Sequence, residues 1–366
     1  MTQRFDVCIR GDGIVARSLA LLLARERLRV ALYHPPERTP GHADVRAYAL
    51  NLASRELLEQ LRVWPDQPQA TPVTGMQVWG DDGGRIDFHP QNGAAEMAWL
   101  VEVPALEEQL AQALRFAPEV QRLDSLDGVQ AALTVVCEGR DSRSRQDFGV
   151  QWTVKPYAQK ALAARLICSQ RHGGLARQWF QQGDILALLP LGGAEGSELA
   201  LVWSVGSARA AELEALPAQE FVQALQAAAG PEVGRLSLSS QVMGWPLTLS
   251  RAERWVGPGW ALAGDAAHTV HPLAGQGLNL GLADVKTLAR VLHEREYWRG
   301  LGDEKLLRRY ERARQADVLA MGLVTDGLQG LFSHSDARWQ ALRNWGMNAL
   351  GRNRFITTWL TRQAMG

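Results

Sequence analysis

Residues 5–33, FDVCIRGDGIVARSLALLLARERLRVALY, decide the fold class. Residues 5–9 form the apolar run of a buried strand, residues 14 to about 25 an apolar helix, and residues 30–33 a second strand. Between the first strand and the helix stands a glycine turn, Gly11-Asp12-Gly13. This order is a βαβ unit, which implies an α/β protein with a parallel sheet. The turn runs on as Ile14-Val15-Ala16, so the spacing is G-x-G-x-x-A. In a dinucleotide fingerprint the first glycine makes the tight turn, the second lets the backbone approach a pyrophosphate, and the third position permits close helix–strand packing. The helix N-terminus then offers unpaired N–H groups and a positive dipole end to the phosphates. The same letters also occur in plain glycine turns, so the strand before and the helix after carry the reading. One element departs from the pattern. The end of the second strand, where a carboxylate ordinarily accepts from both ribose hydroxyls, holds His34, and a neutral imidazole has one acceptor at most.

A second glycine-rich stretch lies far away in the chain. Residues 260–285 read WALAGDAAHTVHPLAGQGLNLGLADV: a buried strand, then Gly264-Asp265, then Gly275-Gln276-Gly277-Leu278-Asn279 opening a helix. An aspartate at a strand end can accept from a sugar-alcohol hydroxyl. The N–H groups after Gly275 suit a developing negative charge, such as the one a reduced flavin carries on its pyrimidine ring. The plainer alternative is a buried aspartate capping a helix. His268, His271 and Pro272 fall in the same stretch. A His-x-x-His pair alone, with no Cys or carboxylate cluster, does not make a metal site, and none is expected.

Between these motifs, residues 54–61 read as a helix with Ser54 as its cap. Residues 76–79 and 86–88 flank Asp81-Asp82-Gly83-Gly84 as a hairpin. Residues 104–116 form an amphipathic helix with proline in its first turn. Residues 133–137 are a short buried strand, and residues 150–205 are strand-rich, broken at Gly173-Gly174, Gly183-Asp184 and Gly192-Gly193. Residues 217–229 look helical, as does nearly everything after 277. The expected division is a first unit of residues 1–75, 91–149 and 245–300, a mainly β unit of residues 76–90 and 150–244, and a helical C-terminal region, 301–366.

Composition narrows the function. The chain has 366 residues, enough for two domains or one large domain with an insertion. Lys+Arg and Asp+Glu both number 39, and this balance argues against a nucleic-acid binder. Cys8, Cys137 and Cys168 are too few and too scattered for a disulfide framework and fit reduced thiols in a cytoplasmic protein. No signal peptide or membrane span is expected. Thirteen tryptophans suit core packing or a flat apolar ligand. No G-x-S-x-G elbow accompanies a Ser-His-Asp set.

The 260–285 stretch resembles the flavin-binding motif of the class A flavoprotein monooxygenases, and most of all that of the ubiquinone-biosynthesis (polyprenyl-phenol) hydroxylases. Arg46-Ala47-Tyr48-Ala49-Leu50, the hairpin at 76–88, the segments 188–191 and 201–204, and Tyr310-Glu311-Arg312 are similar to further segments of that family. The resemblance implies a para-hydroxybenzoate hydroxylase-like fold: an FAD-binding Rossmann-like domain with an inserted, mainly β substrate domain. It implies that Gly11, Gly13 and Ala16 hold the FAD pyrophosphate, that His34 stands at the ribose, and that Arg46 pairs with a phosphate. It implies that Gly264 and Asp265 hold the ribityl chain, and that Gly275, Gln276, Gly277, Leu278 and Asn279 face the isoalloxazine. His268, His271 and Pro272 become flavin-proximal candidates. The family uses NAD(P)H to reduce FAD and O2 to hydroxylate an electron-rich phenol ring.

Several positions depart from the family pattern. His34 replaces an acid. The family's D-G-x-x-S-x-x-R appears as Glu138-Gly139-Arg140-Asp141-Ser142-Arg143, running on from there. Val103-Pro104 replaces Asn-Arg. The segment from 102 to 138 is short, so the β-meander of the FAD domain is expected to be largely lost. These departures fall on the adenosine half of the cofactor site and leave two other readings open: a non-catalytic scaffold relative that binds FAD weakly or not at all, and a flavin-dependent prenyl reductase. Residues 338–366 carry five arginines and no acid among apolar residues such as Trp339, Phe355 and Trp359. They offer a basic amphipathic surface to a membrane or a biosynthetic complex, or simply a helix packed on the FAD domain.

Overall fold

The computed structural model describes residues 3–34, 44–80, 84–90, 93–181, 183–269 and 276–333, with 276 and 320–333 as backbone only. The βαβ unit forms as read: β1 (Gln3–Arg10), α1 (Ile14–Arg25) and β2 (Val30–Tyr33), with Val7 level with Val30 in a parallel pair. A six-stranded sheet grows from it in the order β16 (Val256–Gly257), β17 (Trp260–Leu262), β9 (Val129–Val136), β1, β2, β8 (Val120–Leu123). All its pairs are parallel except β16 with β17. Parallel sheets need both faces covered. The helices α1, α3 (Val103–Arg115), α7 (Gln276–His293) and α8 (Glu304–Ser333) share the main core cluster with this sheet; α1, for instance, buries Leu19 and Leu23. Leu106, Leu110 and Leu114 are the buried stripe of α3, and its proline falls in the first turn.

The segment expected to have lost a meander is short. Residues 124–128 alone carry the chain from β8 at the sheet edge to β9 beyond β1, and Leu126 from this link packs in a small cluster with Phe5, Cys8 and Ala31.

A nine-stranded sheet follows the order β18 (His268–Thr269), β15 (Met243–Ala252), β10 (Trp152–Cys168), β13 (Glu198–Gly206), β12 (Asp184–Leu191), β11 (Leu175–Gln181), β5 (Gly75–Trp79), β6 (Arg85–Phe88), with β14 (Leu236–Leu238) also on β10. Helices α5 (Ser207–Ala215) and α6 (Ala218–Ala229) cover it, and Trp203 meets Phe221 edge to face at 6.1 Å. A small sheet, β3 (Ala47–Leu50), β7 (Ala98–Glu102), β4 (Ala70–Val73), packs on the nine-stranded sheet through Val73, Leu100, Ala176, Leu191 and Ala200, and places Leu50, Trp99 and Val101 in the main core cluster.

Three differences from the sequence reading have local causes. Residues 245–252 were expected with the first unit but run in β15 as a partner of β10, with Trp152 level with Ala252. Helix α2 (Leu52–Leu61) is capped by Asn51, not Ser54: Asn51 is extended and its side chain accepts from Ser54 N at 2.9 Å. Helix α5 escaped detection because its alanine-rich face buries only Ala210 and Leu213. A short helix, α4 (Arg143–Asp147), is capped by Ser142. The hairpin turn at 81–83 and the C-terminal stretch 334–366 lie outside the described residues.

Candidate active site

The two glycine motifs meet in space. Gly11 closes β1 with φ +122°, its N–H donates to Tyr33 O at 3.1 Å, and a Cβ there would lie 2.3 Å from Cys137 O. Helix α1 starts beyond Gly13 without a side-chain cap and without an acid in its first turn. Val15 then touches the second motif. A Cβ on Gly281 would stand 2.8 Å from Val15 Cγ2 and 3.5 Å from Gly264 Cα, so the glycine there lets α7 approach α1. Gly264, with φ +61°, faces the same valine. The result is a cleft of about 350 Å³ along the ends of β1 and β9.

Gly11, Gly13, Arg46, Gly264, Asp265, Gly277 and Leu278 line this cleft. A Cβ on Gly13 or Gly277, both cleft-lining, would meet nothing within 4 Å among the described residues. Packing of the described residues does not demand glycine at these two positions; a ligand laid against bare backbone would. With the uncapped N-terminus of α1, the donor set fits a dinucleotide pyrophosphate.

Asp265 opens into the cleft beside this cradle. Burial pushes its carboxyl up, the neighbouring Asp284 adds to this, and His268, Arg140 and Arg46 partly offset it. Behind it lies a buried ionic network. Asp284 of α7 is fully buried and accepts from Gly264 N at 2.9 Å, from His268 Nε2 at 2.7 Å and from Arg314 Nε of α8 at 2.8 Å. Burial alone would raise the Asp284 carboxyl, but His268 and Arg314 together hold it below the usual carboxylate range. The His268 ring stacks on Trp255 at 4.7 Å, and Tyr310 donates to Leu262 O at 2.8 Å. His268, expected near a flavin, turns into the core instead of lining the cleft; it braces the turn that presents Asp265.

On the other wall, Arg46 is held twice by Asp44, with Nε–Oδ1 at 2.9 Å and Nη2–Oδ2 at 2.6 Å. Arg165 of β10 donates to Arg46 O at 3.1 Å and ties the large sheet to this wall. Tyr48 lines the cleft between Arg46 and Asp265, and burial raises its hydroxyl.

At the end of β2, His34 does not line the cleft. It sits beside Asp12, which also faces Arg17 and Arg122. Glu138 accepts from Ser142 Oγ at 2.8 Å, Ser144 N at 3.0 Å and Ser144 Oγ at 2.6 Å, so it ties down the loop ahead of α4. The motif's arginine is Arg145, buried over Trp152 and donating to Ala266 O at 3.1 Å.

Two more expected positions do not line the cleft. Ala16 is buried within α1, as close packing requires. Asn279 does not face the cleft: its Oδ1 accepts from Asn51 N at 3.1 Å and Ser54 Oγ at 2.7 Å, and its Nδ2 donates to Ala49 O at 2.8 Å. An amide just inside a helix satisfies polar groups at a neighbouring helix start better than it serves an open cleft. His271, Pro272 and Gly275 lie outside the described residues, and Gln276 is described only as backbone. Asp12, Tyr48, Val103, Glu107 and Cys137 line the cleft without having been read as cofactor residues. For Asp12 the signal was present: an acid between the two glycines, opposite a strand end that lacks one.

Comparison with known proteins bears on this geometry. Residues 90–322 match the FAD binding domain family model. The chain is 31% identical to the ubiquinone hydroxylase UbiL of Rhodospirillum rubrum, covering 99% of this chain and 89% of that protein. It is also 31% identical to the 3-demethoxyubiquinol 3-hydroxylase of Escherichia coli, covering 100% and 99%. In fold it is similar to PqsL of Pseudomonas aeruginosa (TM-score 0.77, 22% identity, 90% and 97% covered) and to the p-nitrophenol 4-monooxygenase PnpA of Pseudomonas putida (TM-score 0.79, 16%, 100% and 99%). The chain belongs to the class A flavoprotein monooxygenases, in the ubiquinone-biosynthesis hydroxylase family.

Proposed function

We propose that this chain hydroxylates the aromatic ring of a polyprenylated phenol in ubiquinone biosynthesis, with FAD as its cofactor, NAD(P)H as reductant and O2 as co-substrate. One observation carries the cofactor assignment: two glycine turns some 250 residues apart close one cleft, with bare backbone on its floor and Asp265 on its wall. FAD, when bound, supplies the redox and oxygen chemistry, so the protein needs no nucleophile of its own. The first turn of α1 and Gly13 receive the pyrophosphate, and Arg46 exchanges part of its pairing with Asp44 for a phosphate oxygen. Asp265 accepts from a ribityl hydroxyl. The N–H groups at Gly277 and Leu278, at the start of α7, favour negative charge on the pyrimidine edge. Asp284, His268 and Arg314 hold the Gly264-Asp265 turn in the orientation this requires. The substrate ring enters between the nine-stranded sheet and the cleft.

Asp265→Ala is expected to lose most of its flavin while keeping its fold, because the side chain is not part of the core. The flavin absorbance of purified protein reads this; full flavin content in the variant would overturn the assignment. We further infer a cytoplasmic protein that touches the inner face of the membrane through residues 338–366, which suits a prenylated substrate. No helix among the described residues is long and apolar enough to cross a membrane. Flotation with anionic vesicles should therefore depend on the residues after Asp336, and equal flotation of full-length and shortened chains would end this reading.

A further inference from the structure

The carboxylate that β2 lacks stands one strand away. Asp12 lies between the two glycines of the first turn, and the Gly11 N–Tyr33 O hydrogen bond ties this turn to the end of β2, where His34 follows. Asp12 lines the cleft, yet its side chain is only 7% exposed. Its two oxygens are used unequally. Oδ2 accepts from Arg17 Nη2 at 2.8 Å and Arg122 Nη2 at 3.1 Å. His34 Nδ1 lies 2.9 Å from the same oxygen, close enough for an ion pair but not aligned for a straight hydrogen bond. Among the described residues, Oδ1 accepts only from Arg17 Nε, at 3.2 Å. A carboxylate offers about four acceptor sites, so Oδ2 is crowded while Oδ1 keeps capacity.

An ionised carboxylate this close to a pyrophosphate needs compensation, and the cluster provides it. Arg17 comes from α1, His34 from the end of β2 and Arg122 from β8; together they surround Oδ2 and fix the direction of the Asp12 side chain. A structural ion pair between α1 and its own turn would need Arg17 alone. The other two groups converge on the spot where a dinucleotide fold places its adenosine ribose.

We propose that Asp12 is the ribose-binding carboxylate of this chain: Oδ1 accepts from a hydroxyl of the adenosine ribose, and His34 and Arg122 hold Asp12 without touching the sugar. The acid has moved from the end of β2 into the glycine turn. This rests on the cleft being an FAD site, so the test separates the two ideas by comparing two flavins.

Apoprotein is titrated with FAD and with FMN, which lacks the adenosine half, and flavin fluorescence gives both affinities. In the parent, FAD should bind more tightly than FMN. Asp12→Asn should weaken FAD about tenfold, the size of one hydrogen bond to a charged group, and leave FMN unchanged. Adding His34→Asp to that variant returns an acid to the end of β2 and should restore FAD binding. If Asp12→Asn weakens both flavins alike, or leaves the ratio untouched, Asp12 serves only the fold and the proposal fails. A double variant that regains thermal stability without regaining the FAD preference also overturns it. A parent protein that binds neither flavin would instead sink the FAD reading of the cleft.

Discussion

Asp284→Ala is expected to lose FAD and to unfold well before the parent in denaturant. The substitution strands three groups at once: the Arg314 guanidinium, the His268 imidazole and the Gly264 N–H. Arg314 keeps the largely exposed Asp317 at 2.5 Å and a long contact to Leu280 O at 3.4 Å. Removing one member of a buried ion pair costs about 3–5 kcal/mol, because the remaining charge stays out of water without compensation. Replacing both partners with apolar residues is far milder. The double variant Asp284→Leu/Arg314→Leu should therefore recover much of the stability. It should not recover FAD, because Gly264 still lacks its acceptor and Asp265 its bracing. Chemical denaturation and flavin absorbance read the two effects separately. If the double variant binds FAD as the parent does, the network is only a piece of the core.

Gly11→Ala should reduce FAD affinity at least a hundredfold, roughly 3 kcal/mol. Two independent penalties meet at this residue. An L-residue avoids φ +122°. The added methyl would also sit 2.3 Å from Cys137 O and 2.7 Å from Cys137 C, both backbone atoms at the end of β9 that cannot swing aside. The strands β1 and β9 must part where the cleft opens between them. Gly13→Ala makes the informative contrast. Its methyl meets no atom of the described residues within 4 Å, so stability should hold while FAD binding falls. Isothermal titration of both variants tests this, and parent-like FAD binding by Gly13→Ala would remove the pyrophosphate from that turn.

The parts of this molecule legible in its sequence are those that depend on local chemistry. The βαβ unit was readable because a glycine turn between an apolar strand and an apolar helix has few other solutions. The breaks at Gly173-Gly174, Gly183-Asp184 and Gly192-Gly193 separated strands correctly because all five of those glycines adopt positive φ at the turns. What sequence could not show was direction. His268 and Asp265 are three residues apart, yet one ring turns to Asp284 in the core while the other side chain opens to the cleft. Asn279 reads as part of a cofactor motif but serves the start of α2. The Asp12 cluster gathers residues 5, 22 and 110 positions away, and no local pattern reveals such a meeting.

The contact between Val15 and Gly281 also sets an order on how the chain is made. A ribosome adds about 5–20 residues each second, so the first glycine turn emerges tens of seconds before the helix that must lie against it. Until then the nascent N-terminal half carries an incomplete parallel sheet, with β17 still unmade and the edge of β9 bare. Such an edge is a template for pairing with another chain. Slow translation, or truncation ahead of residue 260, should therefore yield a species that calls on chaperones, whereas the finished protein has closed that seam.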